Sequence, residues 1–235
     1  MIKLPSTLTI NSWFYKENEE LCKPHLGKPY ISYSSVDSWT DYREDFIKQK
    51  LTGIKLPEGI YGALGSYAGE ALELGKFPEN NPYGFTGQEN MDLDFLRPEG
   101  AVYEKMIIID RGEYIILGFI DRYLEKDGKA KIRDQKTGGS KKEAKYESED
   151  YIQVILYAYA IELLGKEIQE TDVYFIRRTG SHVNPPLHIS KEQFVIPLEY
   201  NKERVDFALK KVDKAVNEIS DLFITYDKYF GTKKN

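Results

Sequence analysis

Two aspartates and a lysine stand close together in GFIDRYLEKDGKAKIRDQKTGG, residues 118–139. Asp127-Gly128 is a strong two-residue hairpin signal, because the favoured hairpin turns need positive φ at their centre. A turn there pairs Asp121 with Asp134, Tyr123 with Ile132 and Phe119 with Lys136. Side chains alternate faces along a strand, so Asp121, Tyr123, Ile132, Asp134 and Lys136 share one face. Like charges directly opposed destabilise a sheet, and their Cβ atoms would lie roughly 4.5–5.5 Å apart. At that distance one carboxyl normally keeps its proton. A divalent cation removes the conflict, and hard oxygen donors with water positions left over suit Mg2+ or Mn2+. Lys136 alone also eases the repulsion, so a structural Asp–Lys–Asp cluster stands equally open.

The elements that must hold these residues can be read in order. Predicted strands cover 102–110, 113–124 and 129–136, with the first turn at Arg111-Gly112. That turn pairs Glu104 with Phe119 and brings Glu104 onto the acidic face, one strand from Lys136; a bulge would shift the pairing by one. Upstream, a helix starts near Ser35 or Asp37, either of which suits an N-cap. Apolar residues at 60, 64, 67, 68 and 71 have helical spacing, with Gly69 and Glu73 on the opposite face. Residues 75–100 read as a loop rich in Pro, Gly and Asn. Residues 149–164 are apolar nearly all round, which predicts a buried helix. DVYFIRR and EQFVIPLEY are further strands. Apolar positions at 205, 209, 212, 216, 219, 223 and 226 then form a long amphipathic helix behind the cap Asn201, suited to the chain's own body or to a partner. The class is mixed α/β.

The 235 residues suit one sizeable domain. No apolar run reaches the ~18 residues of a membrane span, no export signal opens the chain, and an intracellular, cytoplasmic protein fits best. Cys22 is the only cysteine, which excludes a disulfide framework or a cysteine-ligated cluster within one chain. Net charge is −5, yet residues 126–145 hold eight Lys or Arg against three Asp or Glu. That imbalance fits a polyanion approaching a cation site, and fits a solvated hairpin tip better still.

The wider pattern resembles the RecB-like branch of the PD-(D/E)XK nucleases, including phage-type exonucleases. Gly118 to Asp121 is similar to the family's Gly-x-x-Asp strand, Asp134 to Gly138 to its Asp-x-Lys-Thr-Gly strand end, and Gln153 with Tyr157 to its Gln-x-x-x-Tyr helix. ISYSSVDSW looks like the Ser-rich approach to its first helix, and YEKMII like its Glu-bearing strand. The likeness covers roughly residues 31–180. It implies a restriction-endonuclease-like core of about 31–200, a central mixed sheet with an antiparallel meander flanked by helices, within a single domain 1–235 that ends in the amphipathic helix 201–230.

The resemblance implies a metal-dependent DNA nuclease, an exonuclease processing ends in recombination or repair. Asp121, Asp134 and the Gln135 backbone carbonyl would hold Mg2+ or Mn2+ with waters, and Glu73 or Glu104 could add a carboxylate. Lys136 would orient or help deprotonate the attacking water, Thr137 and Gly138 would let backbone approach a phosphate, and Gln153 and Tyr157 would contact the active site or the substrate strand. Many relatives carry a metal-ligating His before the helical Glu; here that position holds Gly69. Relatives with an iron–sulfur cluster use four cysteines, which this chain lacks. The competing readings are a catalytically silent DNA-binding or assembly subunit and a structure-specific endonuclease. Chain length suits a phage or other mobile element, and the C-terminal helix is compatible with a homo-oligomer or a recombination partner protein. Lys141, Lys142 and Lys145 read equally as phosphate contacts or as mobile surface lysines, one of Arg177 and Arg178 is a candidate backbone contact while the other points at water, and His182 and His188 read as loop histidines rather than a zinc site.

Overall fold

A computed structural model describes residues 2–10, 18–148, 150–181 and 186–230. In chain order the elements are α1 (Glu19–Cys22), β1 (Tyr30–Ile31), α2 (Tyr33–Asp41), α3 (Arg43–Lys50), α4 (Ile60–Leu74), α5 (Leu93–Leu96), β2 (Val102–Asp110), β3 (Ile115–Lys126), β4 (Lys129–Gly138), α6 (Glu143–Glu147), α7 (Gln153–Glu162), β5 (Glu167–Thr179), β6 (His188–Pro197) and α8 (Lys202–Phe230). The sheet runs β1-β3-β4-β5-β6, with β2 also paired to β3. It is mixed: β1 with β3 and β4 with β5 are parallel, while β3 with β4 and β5 with β6 are antiparallel. This is the mixed α/β architecture expected from the sequence.

The chain forms two compact units: Met1–Leu56 with Met106–Gly118 and Asp206–Asn235, and Pro57–Lys105 with Phe119–Val205. In the first, the Ser32 side chain caps α2 by accepting from the Ser35 amide. The cap therefore lies before both expected positions, Ser35 and Asp37. The Arg111 amide donates to the Tyr114 carbonyl at 2.9 Å, which places the β2–β3 turn at Gly112-Glu113, one residue later than expected. Along α8, Ala208, Leu209, Val212, Ala215, Val216 and Ile219 are buried. The chain itself therefore covers most of the stripe, and the indole of Trp39 donates to Glu218 at 2.8 Å. Cys22 is a buried free thiol.

The second unit packs helices on two faces of β4 and β5. Alternation sends Asp134, Lys136, Val173 and Phe175 to one face and Gln135, Thr137, Tyr174 and Ile176 to the other. Apolar residues of α4, among them Leu64, Tyr67, Ala68 and Leu72, form a core with Tyr174, Ile176, Leu187 and Ile189 on the second face. Asn201 caps α8 as its position implied: its Oδ1 accepts from the Arg204 amide at 2.9 Å. The expected buried helix begins at Gln153, later than the expected 149, and residue 149 lies outside the described residues. The loop 75–100 also contains α5, capped by the Asp92 side chain. Among the described residues no helix is long and apolar enough to cross a membrane.

Candidate active site

The hairpin has the expected register. Asp127 and Gly128 take positive φ, 52° and 76°, and the pairs run from Lys126↔Lys129 through Tyr123↔Ile132 to Arg122↔Arg133. The ladder ends there, one pair short of Asp121 and Asp134. In its place the Gln135 amide donates to Asp121 Oδ2 at 2.5 Å. The two acids thus meet where the strands stop pairing, and a carboxylate takes the amide that a strand carbonyl would otherwise satisfy.

Asp134 is fully buried. Its Oδ2 accepts from the Tyr151 hydroxyl at 2.6 Å and lies 2.6 Å from Lys136 Nζ. Its Oδ1 is buried with no hydrogen-bond partner among the described residues, and so is Gln135 Oε1. Burial pushes the Asp121 carboxyl well above the usual carboxylate range, and the neighbouring Asp134 charge adds to this against the pull of Lys136 and the Gln135 amide. For Lys136, burial favours the neutral amine, but the charges of Asp134 and Asp121 outweigh it and hold the ammonium above its ordinary value. Lys136 is therefore a cation and a donor here, not a free base.

Glu104 and Glu73 line the same cleft, of about 680 Å3, together with Asp121, Gln135, Lys136, Thr137, Lys142, Arg178 and the Tyr61–Glu73 stretch of α4. The Glu104 carboxyl is raised by burial, then by the charges of Glu73 and Asp134. Glu104 also has a φ of 50°, a left-handed conformation rare for a residue with a Cβ. Gln153 and Tyr157 are joined, Nε2 donating to the Tyr157 hydroxyl at 2.7 Å. They reach the acids through Tyr151, whose hydroxyl lies 2.9 Å from Gln153 Oε1. Sequence reasoning missed Tyr151, which sits two residues before the helix in an apolar run that gives it no distinguishing signal.

Three of the eight basic residues of the 126–145 run are paired along the strands: Lys129 meets Glu167 at 3.1 Å, Lys131 meets Glu170 at 2.7 Å, and Arg133 binds Asp172. Each ion pair joins residues that are also neighbours in the β4–β5 register, so Lys129, Lys131 and Arg133 offer little free charge to a polyanion. Gly138 is required by packing, since a Cβ there would lie 2.8 Å from the Phe175 ring. Arg177 binds Glu143 at 2.6 Å, whereas Arg178 lines the cleft and stacks 3.9 Å from the Tyr61 ring. His188 is not a loop histidine as expected: it opens β6, opposite Thr179, and its Nδ1 lies 3.0 Å from the Thr86 hydroxyl. His182 and the Lys141 side chain lie outside the described residues.

Residues 72–229 match the model of the PD-(D/E)XK nuclease superfamily, and the chain belongs to that superfamily. The class acts on nucleic acid by hydrolysis, and its members generally use divalent metal ions. No curated protein matches the chain. A candidate exonuclease from Eubacterium rectale is similar in fold, with a TM-score of 0.55 at 15% identity over 95% of this chain and 88% of that one. The protein SSO0001 has a TM-score of 0.42 at 16% identity over 88% and 85% of the two chains.

The donors fit a hard dication. The buried Oδ1 of Asp134 has no other partner among the described residues, and a cation beside it would offset the burial and the neighbouring Asp134 charge that raise Asp121. Among the described residues, no three His, Cys, Asp or Glu side chains form a complete metal-binding group.

Proposed function

We propose that the chain is a Mg2+- or Mn2+-dependent DNA exonuclease of the RecB-like branch, hydrolysing phosphodiester bonds at DNA ends in recombination or repair. The observation that carries this reading is the buried Oδ1 of Asp134, unpartnered among the described residues, beside Asp121 and Lys136. Asp121, Asp134 and the Gln135 carbonyl would hold the ion, with Glu104 the better-placed extra carboxylate because it feels the Asp134 charge. When bound, such an ion polarises the phosphate and lowers the pKa of a coordinated water.

The chain's own residues supply the rest. Lys136, kept as an ammonium, donates to phosphate oxygens and offsets their growing negative charge. Lys142 and Arg178 add positive charge to the same cleft, which favours a phosphodiester backbone. The fold shared with the candidate exonuclease of Eubacterium rectale supports end processing. Linear DNA labelled at one end, with free or blocked termini, is compared with closed circular DNA in Mg2+ or Mn2+. Loss of the linear form with free ends alone supports the exonuclease reading; cutting of the circle makes the protein an endonuclease.

One observation favours a second reading, a nuclease fold that binds DNA without cutting it: Gly69 stands where many relatives place a metal-ligating His. Binding of DNA with no metal-dependent cleavage of any form would establish it.

A further inference from the structure

We propose that Tyr151 is a positioning residue for the metal site, fixing Asp134 so that Oδ1 is presented to the ion, and that Gln153 and Tyr157 act through it. This rests on the metal-dependent reading above. A carboxylate has two nearly equivalent oxygens, and rotation about its last bond exchanges them. Here Oδ2 is held by two donors, Tyr151 and Lys136, each at 2.6 Å, which leaves Oδ1 as the open one. Lys136 ends a flexible chain and does not fix the carboxylate plane alone. Tyr151 is rigid: it is 1% exposed, its ring meets Tyr146 edge-on with centroids 5.0 Å apart, and Tyr146 in turn packs on Phe175.

The tyrosine has one proton and two acceptors, Asp134 Oδ2 at 2.6 Å and Gln153 Oε1 at 2.9 Å. The shorter contact to the charged oxygen is the stronger. With that proton on Asp134, Gln153 supports the hydroxyl when its amide is turned to donate Nε2 to the Tyr151 oxygen and to accept from the Tyr157 hydroxyl through Oε1, so neither residue touches Asp134 itself. Partners of this kind orient metal ligands, and their loss costs about 10–100-fold in metal affinity. A tyrosine that merely fills the core would give a stability change with no change in affinity.

The test is calorimetric titration of the metal-free full chain with MnCl2. Tyr151→Phe keeps the ring and is expected to bind Mn2+ about 10–100-fold more weakly than wild type, while Tyr151→Phe/Gln153→Leu binds no more weakly than Tyr151→Phe. A folded Tyr151→Phe chain with wild-type affinity overturns the proposal. Should Tyr151→Phe lose the fold, Gln153→Leu and Tyr157→Phe carry the test: severalfold weaker binding supports the proposal, and unchanged binding overturns it. If folded wild type takes up no Mn2+, the metal-dependent function fails first and this proposal with it, a result distinct from equal binding by both chains.

Discussion

The Gln135 amide donates to Asp121 Oδ2 at 2.5 Å, immediately beyond the last paired rung of the hairpin. A hairpin that continued one rung further would hold Asp121 against Asp134 inside a regular ladder, where like charges are destabilising. Ending the ladder lets the carboxylate accept a backbone amide and puts both acids beside Lys136. The cost is a poorly solvated pair whose charge is only partly balanced, and that cost defines the site.

Asp121 gives this a pH signature. Its folded-state carboxyl is raised above its unfolded value, so the folded chain holds the proton more tightly. Stability from this group is fully present below the unfolded value of about 3.9 and is lost as pH rises through the raised folded value. Thermal melts of the metal-free protein should therefore show wild type losing stability relative to Asp121→Asn as pH rises from roughly 4 to neutrality. Equal pH dependence of the two chains would contradict the assignment.

Glu104 is strained at φ 50° and near other acids. Glycine tolerates this conformation, whereas a residue with a Cβ is disfavoured by about 1–2 kcal/mol; glycine's greater chain entropy takes back roughly 0.5–1 kcal/mol, for a net gain of about 1 kcal/mol. Glu104→Gly should raise the melting temperature of the metal-free chain by roughly 2–4 °C, while lowering nuclease rate if the carboxylate serves the ion. Differential scanning calorimetry and the DNA assay read the two effects separately.

Gly69 lies inside α4, and a Cβ added there meets nothing within 4 Å. Gly69→Ala should stabilise the chain by about 0.5–1 kcal/mol in denaturant melts and leave cleavage unchanged. Gly69→His should shift metal preference from Mg2+ towards Ni2+ or Fe2+, because imidazole suits those ions better. Titrating cleavage against each metal measures the shift.

Gly138 has the opposite surroundings, with Phe175 ring atoms 2.8 and 2.9 Å and Lys142 Cβ 3.1 Å from an added Cβ. Gly138→Ala should cost about 1–3 kcal/mol of stability in urea unfolding. A neutral effect would mean that Phe175 moves aside freely.

Local spacing made part of this fold legible. Asp127-Gly128 determined the hairpin register, and the apolar repeats located α4 and α8, with Asn201 as cap. Gln153 and Tyr157 fell on one helix as their spacing implied. What was hidden depends on partners distant in sequence or on local hydrogen bonds that several residues could make. Ser32, Ser35 and Asp37 all suit a cap, and only the folded geometry separates them. The turn at Gly112-Glu113 differs from Arg111-Gly112 by one backbone hydrogen bond. The acids Glu167, Glu170 and Asp172 absorb Lys129, Lys131 and Arg133 because β5 lies parallel to β4, a pairing that no turn signals. Tyr151 matters through one hydroxyl, which apolar periodicity does not register.

If Asp134 and Lys136 make this fold a metal-dependent phosphodiesterase, release of label from linear DNA must depend on both residues and on the ion. The direct measurement compares that release with and without Mg2+ or Mn2+, using wild type, Asp134→Ala and Lys136→Ala chains shown to be folded. The expected result is metal-dependent release by wild type and at least about 100-fold slower release by either variant. Equal release by all three chains, or release by wild type that persists in excess chelator, would contradict it.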